Sequence, residues 1–149
     1  MKGIIEMNTA DQLTQVFYDN FVAYFRSHVA HVNILGRNFF SDHKLLEKIY
    51  DDLQDQIDTI AELLRSLDAF MPNDIQEVLL QSQIPVSAFE EDSDGFLDGV
   101  KTDLETLKND YEYLMTVADG EGHEEIANYA QDRILSLSKQ IWMLGATLS

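Results

Sequence analysis

Cysteine is absent from the 149 residues, which excludes disulfides, zinc–thiolate sites and thiol catalysis, and is compatible with a reducing compartment. Only two prolines and seven glycines occur, too few for a collagen-like chain or a proline-rich linker. Bases are scarce as well: 10 Lys and Arg face 27 Asp and Glu, a formal charge of −17. That field repels nucleic-acid phosphates and anionic lipid, and makes cations the natural small partners. No apolar run approaches the ~18 residues of a membrane span. The N-terminus, with Lys2 as its only base before Arg26, lacks a secretory pattern, so a cytoplasmic protein is expected. Apolar residues make up 45% of the chain, enough for a folded core, and the length predicts a single domain over 1–149.

Apolar residues recur at helical spacing in four long stretches, and strand-like alternation never persists. The fold class expected is all-α. Leu13, Phe17, Phe21, Tyr24, Val29 and Val32 mark a first helix over about 9–34, with Asn8 or Thr9 as N-cap and Gly36 at its end. Leu46, Ile49, Leu53, Ile57, Ile60, Leu64 and Leu67, at steps of 3, 4, 4, 3, 4 and 3, predict a second helix over about 38–67. A third follows Phe96, Val100, Leu104, Leu107, Tyr111, Leu114 and Val117 until Gly120 and Gly122 stop it. A fourth follows Ile126, Ala130, Ile134, Leu137, Ile141 and Leu144. Both prolines, Pro72 and Pro85, fall between Asp68 and Ser93, a connection long enough to cross a bundle, within which Asp74–Gln81 reads as a short amphipathic helix. Two hairpins joined by one crossover is the ferritin-like topology. An up-down-up-down bundle with a long loop would share the same core pattern.

The second helix carries an unusual face. Turned at about 100° per residue from Asp58, Glu47 falls at about −20°, Asp51 at about +20°, Asp55 at about +60°, Glu62 at about +40° and His43 at about −60°. From Asp51 to Glu62 this face holds carboxylates and Gln54 but no base. Like charges four apart repel, and a cation would relieve them: Asp58 and Glu62 present two carboxylates to one metal ion. Two of the four histidines flank the first turn, His31 closing one helix and His43 opening the next. A histidine pair with a carboxylate pair suits Fe(II) with open positions for an oxidant. His43 and Asp58 are 15 residues apart, ~22 Å along one helix, so one subunit cannot bring both to a single ion. Second helices paired antiparallel about a two-fold axis near residue 51 would bring His43 of one copy to Asp58 and Glu62 of the other. His28, mid-helix, and His123, after a glycine turn, read as surface or packing residues. The helix-embedded E-x-x-H of intrasubunit di-iron bundles is absent, as are phosphate loops, H-E-x-x-H and nucleophile elbows.

The run His31-Val32-Asn33-Ile34-Leu35-Gly36-Arg37-Asn38-Phe39-Phe40, followed by His43, Leu46, Glu47, Tyr50, Leu53, Asp58, Ala61 and Glu62, resembles the signature of the Dps family, the DNA-binding proteins from starved cells. Gln140-Ile141-Trp142-Met143-Leu144 is similar to that family's last helix. The resemblance implies a ferritin-like four-helix subunit in a hollow shell of twelve, a homo-oligomer. It further implies ferroxidase activity, with Fe(II) oxidised preferentially by hydrogen peroxide at two-fold interfaces and ferric mineral stored inside. Carried over by position, His31 and His43 of one chain and Asp58 and Glu62 of its partner are the iron ligands, a set for which zinc is a possible competitor. Asp51 and Asp55 fall where mineral could nucleate, and Asp119 and Glu124 near pore-lining positions, although Asn128 stands where a carboxylate is common. Val32 replaces the tryptophan common after the first histidine. Trp142, the only tryptophan, is expected as a packing anchor on the last helix. Neither end offers a lysine-rich tail, and twelve copies would sum to about −200 charges, so DNA binding is not expected. Two further readings fit parts of the sequence: an acidic helical protein that imitates nucleic acid, and a shell of this family whose oxidation centre has decayed.

Overall fold

In a computed structural model, which describes residues 7–90 and 92–149, the chain forms five helices: α1 (Thr9–Asn33), α2 (Phe39–Ser66), α3 (Ile75–Gln81), α4 (Ser93–Gly120) and α5 (Glu124–Leu148). Lys2 lies outside the described residues.

Local chemistry sets the helix ends. Asn8 caps α1 in a reciprocal box: its Oδ1 accepts from the Asp11 amide at 2.8 Å, and Asp11 accepts from the Asn8 amide at 3.2 Å. Asp74 caps α3, and Asp92 caps α4 by accepting from the Gly95 amide at 2.6 Å. Gly36 (φ 122°) and Gly122 (φ 81°) take the left-handed backbone that the two hairpin turns require.

Side-chain bonds fix the topology. Asn20 donates to the Leu53 carbonyl and His31 sits against His43, so α1 and α2 run antiparallel. Thr9 meets Glu121 and Arg26 meets Asp103 at 2.7 Å, so α4 is also antiparallel to α1. Two helices antiparallel to the same third helix are parallel to each other, and parallel neighbours cannot be joined by a tight turn. This is why the chain spends residues 67–92 on a crossover, with α3 packed on α1 through buried Val78. The core is the layer of Leu13, Val16, Leu46, Ile49, Leu53, Ile60, Leu104, Leu107, Leu114, Ala130 and Leu137, all fully buried.

Two residues depart from the sequence expectation. Val32, counted in the first apolar stripe, is 58% exposed, and Val16, Val22, Ala23 and Ala30 fill the core face instead. Trp142 is 67% exposed and anchors nothing within the subunit.

Candidate metal centre

The α1–α2 turn folds the two histidines together. Gly36 allows the reversal, and the antiparallel hairpin stacks the rings of His31 and His43 at 3.8 Å between centroids and 14° between planes. Each imidazole bonds to the other residue's backbone. His31 Nδ1 donates to the His43 carbonyl at 2.8 Å, and His43 Nδ1 donates to the His31 carbonyl at 2.7 Å. A carbonyl oxygen only accepts, so each Nδ1 must carry the hydrogen. That choice of tautomer leaves both Nε2 lone pairs free to bind a metal. The second bond also serves the helix, because the last carbonyls of α1 have no partner within it.

Glu47 completes a three-residue cluster. One ligand atom from each of His31, His43 and Glu47 lies within 4.8 Å of the others. Glu47 is one helical turn beyond His43, which puts it beside the imidazole pair. Lys44 reaches the same carboxylate only at 3.5 Å, in a partly exposed i, i+3 pair, which leaves it available to a stronger cation. His31 is buried while His43 and Glu47 are partly exposed, so the cluster opens outward. Two imidazole nitrogens and a carboxylate suit a borderline divalent ion such as Fe(II) or Zn(II) and provide too few hard oxygens for calcium.

Aromatic rings wall the cluster. Tyr50 lies 5.0 Å from His31 and stacks on His28 at 4.2 Å with 6° between planes, while Phe39 stacks on His43 at 4.8 Å. His28 therefore packs a ring that in turn orients His31.

The other expected ligands lie elsewhere. Asp58 and Glu62 are exposed on the same unbroken α2, four to five turns from His43, without a histidine neighbour in their own subunit among the described residues. Asp51 and Asp55 are exposed between the two groups. Asp119 and Glu124 are exposed at the α4–α5 turn, but Glu121 between them is engaged, accepting from both the amide and the hydroxyl of Thr9. These two bonds hold the Glu121 carboxyl below the usual glutamate range.

Glu47 is a ligand candidate beyond those expected from the sequence, and its i, i+4 spacing from His43 is the signal for it. No spacing in the sequence marks the polar network that ties the acidic helix to α5. Arg133 forks onto Asp52 at 2.9 and 2.8 Å, Gln140 donates to the same carboxylate at 2.9 Å, and Tyr129 donates to Gln56 at 2.6 Å. This network occupies the space between α2, α4 and α5, and its basic member is an arginine, which binds no metal.

Residues 10–149 match the family described as Ferritin-like domain. The chain belongs to that family. Its relatives within the family are Dps proteins: it is 28% identical to the DNA protection during starvation protein of Helicobacter pylori, over 96% of this chain and 100% of that one. It is 35% identical to antigen TpF1 of Treponema pallidum, over 93% of this chain and 78% of that protein. The crystal structure of the Vibrio cholerae Dps protein, described as a ferritin-like diiron-carboxylate protein, superposes with a TM-score of 0.89 at 28% identity, covering 95% of this chain and 89% of that one.

Proposed function

We propose that this Dps-family chain is an iron-sequestering mini-ferritin and a ferroxidase. Its substrate is Fe(II), its preferred oxidant hydrogen peroxide, and its product a ferric mineral kept in a hollow homo-oligomeric shell of twelve one-domain subunits in the cytoplasm. The observation that carries this reading is the reciprocal hydrogen bonding of His31 and His43, which fixes both imidazoles with Nε2 free beside Glu47.

The site is completed by a second subunit. Nothing of Asp58 or Glu62 can reach the histidines of its own chain along a rigid helix at 1.5 Å per residue. A two-fold axis near residue 51 would reverse one α2 against another and lay Asp58 and Glu62 of one copy over His31, His43 and Glu47 of the other, giving two equivalent sites per dimer. The exposed carboxylates then neutralise the incoming cation, and the imidazoles hold it with positions open for the oxidant. Two ferrous ions give one electron each, the O–O bond of hydrogen peroxide breaks on accepting both, and its two oxygens take up two protons from solvent to leave as two waters. Delivering both electrons to one peroxide avoids release of hydroxyl radical.

Asp51 and Asp55 on the inner wall nucleate mineral, Asp119 and Glu124 line a pore, zinc competes for the ligand set, and the net charge of −17 per subunit keeps the shell off DNA. Anaerobic Fe(II) titration followed by peroxide tests the proposal. It requires about one peroxide consumed per two ferrous ions, in a particle far larger than a 17.0 kDa subunit. Oxidation no faster than in buffer would reject the reading.

A further inference from the structure

Asp19 on α1 and Asp110 on α4 are buried, 0% and 6% exposed, and the antiparallel register set by Thr9 with Glu121 and Arg26 with Asp103 puts them level with each other between the two helices, with Asp19 as the acid beside Asp110. Asp19 is fully engaged. Its Oδ1 accepts from the Ser82 hydroxyl at 2.8 Å and the Gln83 amide at 2.7 Å, and its Oδ2 accepts from Gln15 at 3.2 Å. Ser82 and Gln83 are the residues with which the crossover leaves α3, so this carboxylate clips that point of the crossover to the bundle, beside the bonds of Gln15 to the Gln81 carbonyl and Arg26 to the Ser87 carbonyl. Asp110 differs: its Oδ2 is buried without any donor, and Gln12 reaches only its backbone carbonyl, at 3.0 Å.

Two touching carboxylates cannot both be charged in a dry interior. The surroundings decide which is neutral. Asp19 accepts from three donors, whereas Asp110 Oδ2 has none, so the shared proton belongs on Asp110. The charged group acting on Asp110 is Asp19; the crossover presents neutral Ser82 and Gln83, α1 adds neutral Gln12 and Gln15, and no ion pair among the described residues includes either acid.

We infer that Asp110 is a proton-carrying latch: its carboxyl O–H donates to Asp19, which locks that side chain in the orientation that holds Ser82 and Gln83, and loss of that proton loosens the crossover at these two residues. Burial first, and then the bond and charge of Asp19, push the Asp110 carboxyl up to about 10. The latch is therefore closed at neutral pH and opens in alkali. The crossover it holds also forms one wall, through Leu79 and Val86, of an apolar groove of about 770 Å³ whose other wall is Phe21, Phe25 and Val29 of α1. The inference requires no metal and no partner subunit, so it stands apart from the proposed ferroxidase.

The linkage sign follows from the raised value. The folded state binds a proton that the unfolded chain releases near the ordinary aspartate value, so stability falls as pH rises from about 4 to about 10, tenfold in the folding equilibrium per pH unit. Asp110→Asn is isosteric, donates to Asp19 permanently and has no proton to lose. Denaturant unfolding at one protein concentration should therefore give a ratio of folding equilibrium constants, variant over wild type, that grows about tenfold per unit between about pH 5 and 8. A flat ratio overturns the latch. Infrared spectra with ¹³C-labelled aspartate at pH 8, above the range of buried Asp103 at about 6, should show one protonated carboxyl in wild type. It should vanish in Asp110→Asn; in Asp19→Asn it should titrate at a lower pH than in wild type, because the neighbouring charge is gone while the burial remains, and the Gln83 amide should exchange faster. No protonated carboxyl in the wild-type protein, or one that survives in Asp110→Asn, refutes the inference even if a variant fails to fold.

Discussion

Removing the Asp52 carboxylate should cost far more than its position on a charged helix face suggests. Arg133 is 5% exposed and its guanidinium is held by two bonds to Asp52, with Gln140 bonded to the same carboxylate. Asp52→Ala leaves that cation buried without a counter-charge, a change that costs about 3 to 5 kcal/mol when both partners are dry. The Asp52 side chain keeps 25% of its exposure, and water can enter the vacated space, so the lower bound of about 3 kcal/mol applies. Arg133 Nε and Gln140 Oε1 already lack partners in the native network, leaving little capacity to rearrange. At about 2 to 4 °C per kcal/mol for a chain of this size, the melting temperature should fall by about 6 to 12 °C. The double variant Asp52→Ala with Arg133→Met removes both charges and replaces the arginine stem with an apolar one, and should recover about 2 kcal/mol of that loss. Thermal and denaturant unfolding of the four proteins of this cycle measure the coupling. A single-variant loss under about 1 kcal/mol, or losses that simply add, would show that the pair is solvated and the reasoning wrong.

Asp68 ends α2 at φ 59°, a left-handed conformation beside helix carbonyls that disfavour a negative charge; Asp68→Gly should raise stability by about 1 kcal/mol, read as a small increase in melting temperature. Glu121 is held low by the hydroxyl and amide of Thr9, so its clamp on the start of α1 is present above the ordinary glutamate value of 4.5 and is lost as pH falls through the lower folded value. Amide exchange at Thr9 should accelerate in that window, and Glu121→Gln, which has no carboxyl to titrate, should remove the dependence. A Cβ on Gly99 would collide with the Phe89 ring, which packs 4.0 Å from the Arg26 guanidinium; Gly99→Ala should destabilise by about 1 to 3 kcal/mol in denaturant unfolding.

The residues show why some features could be read from the sequence and others could not. α2 was visible because its seven apolar positions keep helical steps without interruption, and the crossover because both prolines and a capping Asp74 fall inside it. His31 and His43 come together through a short glycine turn, a local event that spacing captures. Asp52 with Arg133, and Asp19 with Asp110, join positions 81 and 91 residues apart, and no periodicity encodes which polar residue faces which. Val32 and Trp142 fail for a different reason: an apolar residue on a helix has the same signature whether it faces its own core or lies exposed on the subunit. Glu47 stands at i, i+4 from His43 in the sequence, and only the folded turn brings His31 to the same spot.

Subunit complementation tests the proposed shared site most directly. His31→Ala removes an imidazole from one side and Asp58→Ala a carboxylate from the other, so neither variant alone should oxidise Fe(II) quickly. Unfolded together and reassembled at random, half of the dimers pair unlike subunits, and each of these contains one intact site of two, giving about a quarter of wild-type initial activity. That recovery is the predicted result. Fast oxidation by Asp58→Ala alone, or mixed assemblies as inactive as the two parents, would contradict a centre built from histidines of one subunit and acids of the next.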